Sequence, residues 1–174
     1  SSIVAVKEFP EDLFVVMLTS DGLIKKTPLS SFRHIRRGGI IAISISENAE
    51  LLMAKLTDGK REVVIGTMMG KAIRFRESEV RPMGRQAAGV KAIKLGAKDR
   101  IIGQIVVGEE DTFVFTSSEK GYGKKTDVSM FPLQRRGGMG VLNLKVTTKV
   151  GRAVGIVGIS SEDLLFITHK GKAI

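Results

Sequence analysis

The residues with the clearest chemical capacity are cations set beside glycines. Lys25 and Lys26 follow a glycine at 22, Arg74 and Arg76 follow one at 70, and Lys124 and Lys125 follow one at 121. Further along come Arg36 and Arg37, then Arg85, then the run Gln134-Arg135-Arg136-Gly137-Gly138-Met139-Gly140, with Lys145 beyond it. Guanidinium forks match the geometry of phosphate oxygens. Glycines let a backbone turn tightly and bring its N–H groups close to an anion. The chemistry on offer is recognition of a polyanion, with these residues as the candidate contacts.

Catalytic constellations are absent by comparison. The chain has no Cys, so thiolate metal sites and disulfides are excluded. His34 and His169 have no cysteine partners and read as surface residues. Gly66-Thr67-Met68-Met69-Gly70-Lys71-Ala72 has three residues between its glycines and Ala after the Lys, so it is not a phosphate loop. Gly138-Met139-Gly140 lacks the third glycine of a dinucleotide fingerprint and precedes an apolar strand pattern. The seven Met read as core filler.

The elements that must hold these cations repeat. The lead glycines, 22, 70, 121 and 171, are 48, 51 and 50 residues apart. A second set, Gly39, Gly89 and Gly140, is spaced 50 and 51. Such a period marks a propeller, solenoid or array. Each repeat reads as four strands. The first strands are 14–18, 63–67, 112–116 and 164–168, all β-branched or aromatic. The second carries the basic pair. The third strands are 40–45, 90–95 and 141–146, and the fourth 51–56, 101–107 and 153–159. Residues 3–9 read as the last strand of a preceding repeat. The expected organisation is one partial all-β, propeller-like array over 1–174, divided near 1–11, 12–60, 61–110, 111–160 and 161–174. An irregular β-sandwich is the competing architecture.

Charge follows the same period. The chain carries +10 overall, with 28 Lys and Arg against 18 Asp and Glu. Windows 22–46, 70–95 and 121–146 carry +5, +5 and +4, so the remaining residues carry −4. Edge strands are often protected by Lys and Arg, but such protection does not by itself exclude acids. Three basic windows side by side would form a band suited to a duplex backbone, with about one charge per 1.7 Å of axis. Aromatics are only 5% and Trp is absent, so base-stacking platforms are not expected. Backbone contact combined with duplex bending fits better. The 43% apolar content excludes a disordered basic tail, and no apolar run is long enough to span a membrane. No charged-then-apolar start reads as a signal peptide, so a soluble protein of a reducing compartment is expected.

At Gln134–Gly140 the chain resembles the family of DNA gyrase A C-terminal domains, whose box reads Gln-Arg-Arg-Gly-Gly-Lys-Gly or close to it. The resemblance extends to the repeated Gly-x-x-Lys-Lys-Thr turn and to the stretch from Gly70 to Gly89, and so covers nearly the whole chain. It implies a β-pinwheel with altered strand order whose basic rim wraps duplex DNA. It implies a parent type II topoisomerase using ATP and Mg, with no cofactor in this fragment, that introduces negative supercoils. It also implies partners in the rest of the gyrase A polypeptide and in gyrase B, and a bacterial, nucleoid-associated cytoplasmic setting. Tyr122, in a glycine turn without acidic residues that could bind a metal, suits packing or a DNA contact and not strand cleavage.

Two features depart from the family pattern. Met139 stands where the box has a basic residue, and the repeats resemble later blades, whereas the functional box lies on the first. Gln134–Gly140 is thus either the functional box or an echo derived from the repeat. The related domain of topoisomerase IV, with weak wrapping, is an alternative. A protein-binding propeller scaffold is another, though the scarcity of aromatics disfavours it.

Overall fold

Short β-branched and aromatic runs pair across glycine turns to form the sheets. In the computed structural model, which describes residues 3–161 and 164–167, eleven strands follow one another. They are β1 (Phe14–Thr19), β2 (Leu23–Pro28), β3 (Leu51–Thr57), β4 (Glu62–Thr67), β5 (Lys71–Arg76), β6 (Val90–Lys91), β7 (Ile101–Val107), β8 (Phe113–Ser118), β9 (Gly123–Asp127), β10 (Val141–Leu142) and β11 (Ala153–Ile159). Short 3-10 turns at Leu29–Phe32, Glu77–Glu79 and Val128–Met130 leave the second strand of each repeat. The architecture is all-β, a propeller-like β-pinwheel.

The strands form three antiparallel sheets, ordered β3-β1-β2-β6, β10-β5-β4-β7 and β11-β8-β9. The outer strand of a blade comes from the next repeat. β6 pairs with β2 (Ile24 opposite Val90), and β10 pairs with β5 (Ala72 opposite Val141). This corrects the reading of each repeat as a self-contained four-strand blade. It also explains why the third strands are short. Only 90–91 and 141–142 lie in register with the neighbour, and the rest of 90–95 and 141–146 leaves the ladder. Residues 40–45 form no strand, because no second strand of an earlier repeat precedes them among the described residues. Residues 3–9 are likewise irregular. Residues 164–167 lie outside the named strands, and 168 and Gly171 lie outside the described residues.

Two glycines permit the exchange. A Cβ on Gly89 would stand 2.7 Å from the Ile24 carbonyl oxygen, and one on Gly140 would stand 2.6 Å from that of Ala72. Both have positive φ, 110° and 68°. A side chain there would collide with the strand receiving the exchange, so Gly89 and Gly140 mark the blade crossings.

The first strands of the first two blades, β1 and β4, are buried on both faces, which is why they read as uninterrupted apolar runs. On β4, Val63 and Ile65 face a core shared with Val16, Leu18, Ile24 and Phe75. Val64, between them, faces a second core with Ile105, Val114, Phe131 and Ile156. The period of two thus serves two interblade cores. Full burial of a side chain such as Phe75 contributes about 1.5–3 kcal/mol.

Candidate nucleic-acid interface

The basic pairs do not sit where the sequence alone suggests. Lys25 is fully buried on β2. Its ammonium donates to the Ala42 carbonyl at 2.7 Å and to the Arg85 carbonyl of the next repeat. Burial, aided by the nearby Arg85 charge, pushes its pKa down to about 8. Lys26 is 4% exposed and donates to the Glu77 carbonyl at 3.2 Å. It lies 3.8 Å from the Glu77 carboxylate, which is itself fully buried and accepts the Thr57 hydroxyl at 2.6 Å. Arg74, one repeat on, pairs with Glu62 at 2.6 Å and donates to the Val128 and Phe131 carbonyls at 2.9 and 3.1 Å. Lys26 and Arg74 therefore make equivalent contacts. Each cation reaches the backbone of the 3-10 turn opening the next repeat's loop. These three residues bind repeats together, and their expected role in phosphate contact is corrected on that ground.

Lys124 and Lys125 differ. Both are exposed on β9. Lys124 donates to the Asn143 carbonyl at 2.7 Å, the counterpart of Lys25 on Ala42. The Lys125 ammonium lies 4.1 Å from the Phe113 ring centroid. Arg76 is exposed at the end of β5, opposite Glu62 in the register.

The heptad is a clamp in this geometry. Gln134 N–H donates to Arg74 O at 2.8 Å. Arg136 N–H donates to a Glu79 carboxylate oxygen at 3.0 Å, its Nε to the Glu79 carbonyl at 3.0 Å, and its Nη1 to Lys91 O at 3.1 Å. Gly137 N–H donates to Ala92 O at 2.6 Å, and Gly138 O accepts Lys94 N–H at 2.8 Å. The Arg136 Nε and Nη1 and the Gly137 amide are thus engaged by the preceding repeat, while Arg136 remains half-buried. Gly140 lies at the blade crossing. Arg135 is exposed.

The same loop-on-strand packing occurs one repeat earlier. Ser44 N–H donates to Ala87 O at 3.3 Å, and its hydroxyl donates to Gln86 O at 2.6 Å. The loops following the second strands therefore lie one upon the next. The exposed cations they carry include Arg36, Arg37, Arg81, Lys91, Lys94, Arg135 and Lys145. Half-buried Arg85 joins Arg33 and Arg36 in lining an open cleft of about 770 Å³, with His34 and Gln86 also on its wall. Arg81, Lys91 and Lys94 were not singled out in the sequence. They lay in a positive window, and alternation along 90–95 could have flagged Lys91, but nothing local separates them from buried cations.

Among the described residues, no group of three or more His, Asp or Glu could hold a metal ion. No helix among them is long and apolar enough to cross a membrane.

Strand-exchanged blades with basic loops in series define a β-pinwheel. The chain belongs to the family described as DNA gyrase C-terminal domain, beta-propeller, whose model matches residues 14–56, 61–107, 112–157 and 162–174. It is 39% identical over its whole length to the DNA gyrase A protein of Klebsiella oxytoca and 37% identical to that of Escherichia coli. It spans 20% of each of those proteins. Two solved structures share the fold closely. The C-terminal domain of DNA topoisomerase IV superposes with a TM-score of 0.90 at 27% identity, covering 97% of this chain and 53% of that one. A DNA gyrase A C-terminal domain gives 0.87 at 25%, covering 99% and 58%.

Proposed function

We propose that this chain binds duplex DNA through the loop band, with little sequence preference, and bends it along the array. In this reading it belongs to a gyrase that uses ATP and Mg, held elsewhere in the enzyme, to introduce negative supercoils. Its partners are the remainder of the gyrase A polypeptide and gyrase B, on chromosomal DNA in a bacterial cytoplasm. The observation that carries the reading is the run of exposed cations from Arg36 through Arg81, Lys91 and Lys94 to Arg135 and Lys145, on loops that pack in series across three repeats. Repeated phosphate contacts would offset the several kcal/mol that bending a duplex costs. The test is a salt titration of duplex binding. Log affinity should fall linearly with log salt, by about 0.9 per neutralised phosphate. Binding that ignores salt would overturn the reading.

A topoisomerase IV role has its own support in the 0.90 superposition, in Met139, and in the inward commitment of Arg136. A relaxed circle separates the two. Constraint of DNA writhe by the intact protein favours gyrase, and binding without it favours topoisomerase IV.

A further inference from the structure

A second basic surface lies outside the band. The β1–β2, β4–β5 and β8–β9 turns end the blades on one side of the array, and the loops 46–50, 96–100 and 147–152 run beside them. The pairing repeats. Ser20 N–H donates to Glu50 O at 2.8 Å, Met68 N–H to Arg100 O at 2.8 Å, and Glu119 N–H to Arg152 O at 2.9 Å. Residues 50, 100 and 152 are therefore structurally equivalent, yet their charges are not. Repeat one exposes Asp21, Glu47 and Glu50 there. Repeats two and three expose Lys98, Arg100, Lys120, Lys149 and Arg152.

The acids of repeats two and three on this side serve their own loops. Asp99 accepts the Thr67 hydroxyl at 2.7 Å and the Met69 and Arg100 amides at 2.9 Å. A Glu119 carboxylate oxygen accepts the Arg152 amide at 2.9 Å. The side chains of Lys98, Arg100 and Arg152 have no hydrogen-bond or ion-pair partner among the described residues. They line one open cleft of about 600 Å³ with Met68, Met69 and Asp99, so two repeats share it. Ala153 N–H, donating to Met68 O at 3.0 Å, holds the two repeats together there.

The band runs into this cleft. Asn143 and Leu144 both donate their amides to Gly70 O, at 2.8 and 2.9 Å. The next residue, exposed Lys145, therefore emerges beside the second repeat's turn, whose Met68 and Met69 line the cleft.

We propose that the turn side of repeats two and three is a second contact surface for the same duplex. DNA on the band is drawn from the rim onto this side at repeats two and three and is repelled from it at repeat one. The path tilts across the array instead of following a level rim. This proposal rests on the DNA-binding reading above. Continuity through Lys145 favours the duplex over an acidic protein segment as the occupant.

The experiment compares three triple variants of the intact protein on a mixed-sequence duplex of about 30 base pairs. The turn-side variant is K98A/R100A/R152A, the band variant R36A/R37A/R135A, and the control K7A/K55A/K60A. All nine residues are exposed, so folding is preserved. The turn-side variant should lower the slope of log affinity against log salt by about 0.9 per lost contact, with the control unchanged. Bound duplex should shield Lys98 from acetylation and leave Lys60 reactive. A turn-side variant that tracks the control, with Lys98 acetylated equally with and without DNA, overturns the proposal. Shielding of Lys98 by polyglutamate and not by duplex overturns it too. If the band variant also tracks the control, the DNA-binding reading itself fails, and that result is distinct.

Discussion

Lys25-Lys26-Thr27 and Lys124-Lys125-Thr126 have the same sequence, follow equivalent glycine turns and occupy equivalent strands. The first pair is buried and the second exposed. The difference lies in what covers them. The next repeat lays its 3-10 turn and its 84–87 loop over β2, whereas no described repeat lies over β9. A cation's position in the strand therefore does not decide whether it meets solvent. The presence of a following repeat does. Where a further repeat packs over β9, the same geometry would bury Lys124 and Lys125.

The largest effect that tests this contrast is on stability. Lys26→Ala leaves the Glu77 carboxylate buried without its cation, which should cost about 3–5 kcal/mol. Lys125→Ala removes an exposed ammonium from beside Phe113 and should cost about 1 kcal/mol or less. Urea unfolding of both variants checks this, and K26M/E77M should recover most of the loss. Equal losses from the two single variants would erase the contrast.

The glycines of the blade crossings come next. Gly140→Ala sets a Cβ against the Ala72 carbonyl at a positive φ, and should cost about 1–3 kcal/mol. Gly39→Ala shares the positive φ but meets nothing within 4 Å, so only the backbone penalty of about 1 kcal/mol applies. A larger loss at Gly39 than at Gly140 would argue against strand exchange as the reason for the glycine.

Arg135 and Arg136 carry the contrast into the heptad. Arg136→Ala should destabilise the fold by about 1.5–3 kcal/mol, because charged hydrogen bonds to Glu79 and Lys91 are lost. Arg135→Ala should leave stability unchanged and reduce the salt slope of DNA binding by about 0.9. Thermal unfolding and a salt titration on each variant separate the two roles.

The array was legible in the sequence because repetition amplifies it. Four lead glycines at one spacing outweigh the ambiguity of any single strand. The exchange was not, because pairing partners 66 residues apart, such as Ile24 and Val90, leave no local signature. The band was legible as charge, and its members were not. Lys25 and Lys145 are both lysines in a positive window, and only the packing of the next repeat separates them. Arg74 looked like a phosphate ligand because its acceptors, Glu62 and two carbonyls near residue 130, come from different strands and loops. Period reveals architecture, whereas allocation of a cation to core or surface depends on contacts between repeats.

The last effect is the pH dependence of Lys25. Burial and the Arg85 charge hold Lys25 near 8, below its usual 10.5. Between those values the unfolded chain binds a proton at this site that the folded chain has largely released. Stability attributable to Lys25 therefore rises as pH increases from about 8 to 10.5 and levels off above. The neutral amine still has two N–H groups for the Ala42 and Arg85 carbonyls, so the interblade contact survives the titration. Urea midpoints measured across this window should climb in the native sequence and stay flatter in Lys25→Met. A climb that survives Lys25→Met would assign the titration elsewhere.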